Sequence, residues 1–190
     1  MRLLQEFILK EGRVVGDGLL KVDGFLNHQI NVKLLKEAGK EFFNLFKNDN
    51  ITKILTVEAS GIGIACVTAG FFDIPVVFAK KQSVKTQCEG VYTAEVFSFT
   101  HSKKYDIRIS KEYLSHEDRI LIIDDFLASG EAARGLISLA SQAGATIAGM
   151  GAVIEKGFQG GGDSLRKSGV RVESLAIIDY MDTSGTITFR

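Results

Sequence analysis

Two periods organise the apolar positions of this chain. Short β-branched runs occupy 53–57 (KILTV), 74–79 (IPVVFA) and 119–123 (RILII), and a longer one occupies 145–154 (ATIAGMGAVI). Each is bounded by glycine, proline or charge, which predicts strands buried on both faces of a parallel sheet. Helical spacing lies between them. Residues 31–47 place Leu34, Leu35, Ala38, Phe42, Leu45 and Phe46 on one stripe, and residues 130–144 form a second helical run that stops on Gly144. The first 14 residues have helical spacing too, broken by Glu6, Lys10 and Glu11, and predict an amphipathic helix. Residues 90–100 and 104–110 alternate polar with apolar, as a half-exposed hairpin does, while the basic stretch 80–90 lacks any core pattern and predicts a mobile loop. Helix and strand thus alternate into a single α/β domain over 1–190, a mainly parallel sheet flanked by helices.

Composition narrows the function classes. Lys plus Arg and Asp plus Glu are 23 each, so the chain carries no basic excess with which to displace counterions from nucleic acid. No apolar stretch is long enough to span a bilayer, and the N-terminus has no cleavable leader pattern. Cys66 and Cys88 lie far apart with no Cys/His spacing, which predicts two buried, reduced thiols in a cytoplasmic protein and no metal or disulfide.

Candidate chemistry concentrates at 120–140, ILIIDDFLASGEAARGLISLA. Four apolar residues run into two carboxylates, then a small turn, then a helix. Ligands of open α/β sheets bind at the carboxyl ends of the strands, which is where this pattern puts Asp124 and Asp125. The turn Ala128, Ser129, Gly130, Glu131, Ala132 can wrap an anion, with free N–H groups and the positive end of the helix dipole behind it. Ionised carboxylates accept from hydroxyls or ligate magnesium through hard oxygens. A ligand with phosphate at one end and vicinal hydroxyls nearby satisfies both, and ribose 5-phosphate is such a ligand. A receiver domain would need more chain than follows Asp124, and the G-x-x-x-x-G-K-[ST] loop of nucleotide triphosphatases is absent. A second cluster of backbone donors follows the strand at 53–57, at Ala59, Ser60 and Gly61; Cys66 in place of the third glycine argues against a dinucleotide fingerprint. Two anion cradles and a basic loop point to a ligand with phosphate at both ends.

The string ILIIDDFLASGEAARGL resembles the phosphoribosyl-pyrophosphate motif of type I phosphoribosyltransferases. Together with LLKVDGFLNHQI, ITKILTVEASGIG, IPVVFAKK and VIEKGFQ, it resembles the xanthine-acting bacterial branch of that family over almost the whole chain. The resemblance implies that Ala128, Ser129, Gly130, Glu131 and Ala132 hold the 5-phosphate and that Asp124 and Asp125 meet the ribose hydroxyls. It implies that Ala59, Ser60 and Gly61 bind pyrophosphate, that Lys80 and Lys81 begin a mobile cover, and that a hood formed by the first ~30 residues covers the base. Leu20, Asn27 and Lys156 match the positions that contact xanthine. Magnesium held mainly by the substrate, rather than by direct protein ligands, and a homodimer are implied as well.

Side-chain chemistry agrees with the base contacts. An ammonium has only donors, so Lys156 suits a 6-oxo purine and offers nothing to a 6-amino group. Asn27 has donor and acceptors for an oxo-imide edge. The plainer readings are a solvated strand end for Lys156, a turn former for Asn27 and a partly buried polar residue for His28. Hypoxanthine-guanine and adenine phosphoribosyltransferases, and ligand sensors of the same fold, are the alternatives; the sensors would need an added DNA-binding domain. Two prolines expected after SGI and after FQ are missing, and Pro75 is the only proline in the chain.

Overall fold

The computed structural model describes residues 1–16, 19–82, 89–98 and 103–190. Cys88, the centre of the expected basic loop and the tip of the expected hairpin lie outside the described residues. An N-terminal helix α1 (Arg2–Glu11) buries Leu4 and Ile8. It leads into a two-stranded antiparallel ribbon, β1 (Arg13–Val15) with β2 (Leu19–Lys21), and then a π-helical turn, Asp23–Asn27. Val22, Phe25 and Leu26 anchor this segment in the core, Phe25 lying 5.7 Å from the ring of Phe7.

Helix α2 (Val32–Phe46) starts where Asn31 accepts from the N–H of Leu34 at 3.1 Å, a side-chain cap for one of the open donors of the first turn. Its stripe is buried as the spacing predicts, apart from Leu45, which is half-buried. The chain continues through β3 (Lys53–Val57), α3 (Ser60–Phe72), β4 (Val76–Gln82), β5 (Val91–Ser98), β6 (Lys103–Ser110), β7 (Arg119–Leu127), α4 (Glu131–Gln142), β8 (Thr146–Lys156), α5 (Gly161–Lys167), β9 (Val172–Met181) and β10 (Ile187–Phe189). These strands form one eight-stranded sheet in the order β10-β9-β8-β7-β3-β4-β6-β5. Its centre is parallel, β4 to β9, and antiparallel strands close both edges.

The core divides across this sheet because side chains along a strand alternate faces. Ile120 and Ile122 of β7 pack with the β5–β6 hairpin, α4 and Leu165. Leu121 and Ile123 pack with α1, α2, the π-turn and α3. Two strands differ from their predicted bounds. The run at 74–79 becomes a strand only from Val76, since Pro75 has no N–H to give the ladder, and it continues to Gln82 because Lys80, Lys81 and Gln82 pair with β6. The run at 119–123 continues to Leu127 because β8 pairs with it as far as Leu127 opposite Glu155. Cys66 is exposed on α3, a correction to the expected buried thiol. That helix is apolar all round, so its sequence contains no stripe to mark the buried face.

Phe42 is fully buried between α2 and the sheet. Phe42→Ala is expected to lower the unfolding free energy by about 3–5 kcal/mol, the usual cost of emptying a buried phenyl site. Urea denaturation checks this, and a loss below about 1 kcal/mol would contradict the packing described.

Candidate functional site

The carboxyl ends of β3, β4, β7 and β8 meet at one edge of the sheet, and the candidate residues follow from them. Asp124 and Asp125 are at the end of β7, 5% and 7% exposed. The Asp125 N–H donates to Asp124 Oδ1 at 2.9 Å. Burial, and then the neighbouring Asp125, raise the Asp124 pKa well above the usual carboxylate range; the Asp125 N–H and Lys81 act the other way. The pyrophosphate-loop candidate touches the pair. A Cβ placed on Gly61 would stand 3.0 Å from Asp124 Oδ1 and run into Thr56 Oγ1, so only glycine lets this turn approach the acids so closely. Ala59 precedes α3 and Ser60 begins it, next to a cis Glu58–Ala59 peptide bond.

The anion-loop candidate Ala128, Ser129, Gly130, Glu131, Ala132 follows directly on β7. Gly130 adopts φ 87° and ψ 8°, a left-handed conformation costly for other residues, and it starts the 12-residue helix α4. No side chain among the described residues caps that helix, which leaves its first N–H groups for an anion. Arg134 Nη1 steadies the loop by donating to Ser129 O at 2.8 Å, and the Gly161 N–H donates to Ala128 O at 3.2 Å. All five loop residues line a cavity of about 250 Å³, shared with Tyr105, Phe126, Lys156 and Gln159.

Lys156 is the last residue of β8 and only 8% exposed. Its ammonium lies 5.7 Å from the centre of the Phe126 ring, and burial lowers its pKa. The reading of a solvated strand end is therefore corrected, because β8 stays paired with β9 through Lys156 opposite Ile178. On the hood side, Asn27 ends the π-turn and is exposed; with Asp23, His28, Ala59 and Ser60 it lines a cleft of about 490 Å³. The Leu20 side chain is buried in the core, so any contact it offers a ligand comes from its backbone. His28 is exposed rather than partly buried, since it follows the π-turn on its outer side.

Lys80 and Lys81 are strand residues rather than the start of a loop, paired with Arg108 and Ile107. They take opposite faces. Lys81 is on the site's side, its ammonium 5.7 Å from the Tyr105 ring and acting on Asp124, while its N–H donates to Glu58 Oε1 at 2.6 Å. Lys80 instead lines a groove of about 640 Å³ with Phe78, Arg108 and Tyr113, so the structure brings only Lys81 toward the acid pair. Tyr105, Phe126 and Gln159 were not marked by the sequence. The alternation at 104–110 sets Tyr105 between the polar residues Lys104 and Asp106, but does not show that the hairpin leans over the anion loop.

Among the described residues no three His, Cys, Asp or Glu groups could cage a metal ion. Two adjacent carboxylates with hard oxygens, one kept from ionising easily by burial and then by its neighbour, fit magnesium that a phosphorylated ligand brings and largely coordinates itself.

Residues 21–175 match the family model described as a phosphoribosyl transferase domain. Proteins named xanthine phosphoribosyltransferase from Ruminiclostridium cellulolyticum and Clostridium novyi are 56% and 55% identical to this chain. The first match covers 100% of this chain and 99% of the relative, the second all of both. Among solved structures, the adenine phosphoribosyltransferase of Giardia lamblia complexed with 9-deazaadenine aligns with a TM-score of 0.78 at 20% identity, over 94% of this chain and 98% of that one. The Trypanosoma brucei adenine enzyme, in complex with AMP, pyrophosphate and ribose-5-phosphate, gives 0.76 at 17%, over 92% and 78%. At that identity the likeness is one of fold.

The buried acid pair sets a stability prediction with a definite sign. A folded-state pKa above the unfolded value favours folding when the group is protonated, and that contribution is lost as pH rises through the folded pKa. Asp124→Asn is therefore expected to melt at a higher temperature than wild type near neutral pH, with the gap closing below the ordinary carboxylate range. Thermal melts across pH measure it; a variant less stable than wild type at neutral pH would contradict the strained pair.

Proposed function

The chain belongs to the phosphoribosyltransferase family, and from that premise we propose that it transfers the 5-phosphoribosyl group of phosphoribosyl pyrophosphate to N9 of xanthine, giving xanthosine monophosphate and pyrophosphate. The observation that carries the substrate reading is the cavity shared by Lys156 and the loop from Ala128 to Ala132. It offers a donor-only group to a purine and open backbone N–H groups to a phosphate within one space.

In this reading the first turn of α4 and the loop before it hold the 5-phosphate, and Asp124 and Asp125 accept from the ribose hydroxyls. The donors at Ala59, Ser60 and Gly61, with Lys81, face the pyrophosphate. As the bond from C1′ to pyrophosphate breaks, positive charge develops on the ribosyl ring and negative charge on the leaving oxygen. Donors fixed in place beforehand stabilise that separation without reorganising. Bound magnesium would add charge neutralisation at the pyrophosphate. The electron pair on N9 then forms the new bond to C1′. The purine reacts as the anion formed when one ring N–H proton has gone to solvent; Lys156 donates to the 6-oxo group and stabilises that anion, and no separate carboxylate base is assigned. Glu95 is exposed on the hairpin and already paired with Lys104 at 2.7 Å.

The same reading makes the protein a cytoplasmic homodimer in purine salvage. The salvage role is supported by full-length relatives of one name, while the dimer and the compartment rest on the resemblance alone. Among the described residues no helix is long and apolar enough to cross a membrane. Gel filtration with light scattering tests the dimer.

Nucleotide formation with phosphoribosyl pyrophosphate, magnesium and one base at a time tests the function. Preferential xanthosine monophosphate supports it, and a preference for adenine or no product with any base overturns it. Within that assay, Lys156→Ala is expected to raise KM for xanthine by about 10- to 100-fold, the worth of one charged hydrogen bond, while phosphoribosyl pyrophosphate binding stays nearly constant. An equal loss for both substrates would contradict its place at the base. Because the charged ammonium is the binding form and burial lowers its pKa, wild-type KM for xanthine should begin to rise with pH before an ordinary lysine titrates.

A further inference from the structure

We infer that Glu155, Arg166 and Ser174 form a positioning assembly that holds the purine pocket and the phosphate loop in one frame. The inference rests on the functional reading above but concerns residues that touch neither substrate.

Glu155 is 1% exposed and immediately precedes Lys156. Burying a carboxylate is unfavourable unless it is paired and hydrogen-bonded. Here every demand is met. Arg166 Nη1 donates to Oε1 at 2.9 Å, Arg166 Nη2 to Oε2 at 2.7 Å, and Ser174 Oγ to Oε2 at 2.5 Å. The two-pronged guanidinium fixes the plane of the carboxylate as well as its position. Successive strand side chains take opposite faces, so locking Glu155 on one face sets the direction of Lys156 on the other. Arg166 keeps 31% of its side chain exposed while Glu155 is buried, and ion pairs with a buried member seldom add more stability than apolar residues of the same shape, which accords with a geometric use.

Arg166 connects that point to the phosphate loop through α5. At the start of α5, the Gly161 N–H donates to Ala128 O, and a Cβ on Gly161 would run into that carbonyl. One residue on, a Cβ on Gly162 would run into Glu155 Oε1. The helix start is therefore wedged between the buried carboxylate and the phosphate loop. Arg134 Nη2 adds a second tie, to Ser164 Oγ at 3.4 Å, from the helix that the loop begins. Opposite these, β7 and β8 pair Leu127 with Glu155, the residues just before Ala128 and Lys156. A shift of Arg166 would move both ends of the substrate cavity.

The test compares wild type with Arg166→Met, Arg166→Lys and Ser174→Ala by steady-state kinetics, calorimetric titration with ribose 5-phosphate, and thermal melts. Arg166→Met is expected to raise KM for xanthine and weaken ribose 5-phosphate binding together, each by about tenfold, since small misplacements carry costs of this order. Arg166→Lys should recover part of both, and Ser174→Ala should shift both by about threefold. A merely structural role would lower the melting temperature and leave both constants of the folded protein unchanged, and that result overturns the inference. So does a change in only one of the two. If Arg166→Met does not fold, Ser174→Ala keeps the ion pair and decides on the same two readouts. A wild-type chain that makes no nucleotide would count against the functional reading alone, and calorimetric titrations with ribose 5-phosphate and with xanthine would then supply the two readouts that decide the assembly.

Discussion

The parallel pairing of β7 with β8 is the constraint on which the site depends. It runs from Arg119 opposite Thr146 to Leu127 opposite Glu155, farther than either strand's apolar run. Backbone hydrogen bonds continue where hydrophobic side chains stop. This carries Asp124 and Asp125 to the sheet edge inside regular structure, and brings the loop after Leu127 level with Lys156. Ladder bonds are local and stiff, so the spacing between the acids, the anion loop and the lysine is set by strand geometry rather than by long flexible side chains.

That stiffness works against the stability of the acids it positions. Two adjacent carboxylates are buried together, and one resists ionisation in the native state. In the proposed function those charges are needed to accept ribose hydroxyls and to share a magnesium ion brought by the substrate, and the fold holds the two acids in place through the core on either side. Ile120 to Ile123 anchor β7 to both layers of that core, so the strand end beyond them stays ordered while carrying polar residues. Buried acids of this sort are common where function competes with stability.

Much of the architecture was legible because periodicity reports burial. The strands at 53–57 and 145–154, the stripe of α2, the hairpin and the mainly parallel sheet follow from alternation and helical spacing. Strand ends were less legible, since Asp124, Asp125, Lys80 and Lys81 belong to strands through backbone pairing that their side chains do not announce. No element was assigned to β9 and β10, although β9 completes the frame around Glu155 through Ser174. Cys66 was misplaced because α3 is apolar on every side, and His28 because a turn's outward face leaves no period to read. Among the candidate site residues, Asp124, Asp125 and the anion loop were visible from chemistry alone. Leu20, Asn27 and Lys156 required a resemblance, because a lone lysine or asparagine in a sequence has many uses. Tyr105, Gln159, Glu155 and Arg166 depend on contacts distant in sequence, which no local pattern encodes.

The central claim is that one cleft, at the carboxyl edge of this sheet, receives a phosphorylated ribose and an oxo-purine side by side. A crystal structure of the protein soaked with ribose 5-phosphate and xanthine tests it most directly. The account predicts the phosphate within hydrogen-bonding distance of the backbone N–H groups of residues 129–132, the ribose hydroxyls at Asp124 and Asp125, and the 6-oxo group at Lys156 below the hood. A phosphate bound elsewhere, or a purine outside the space between the hood and Lys156, would contradict it.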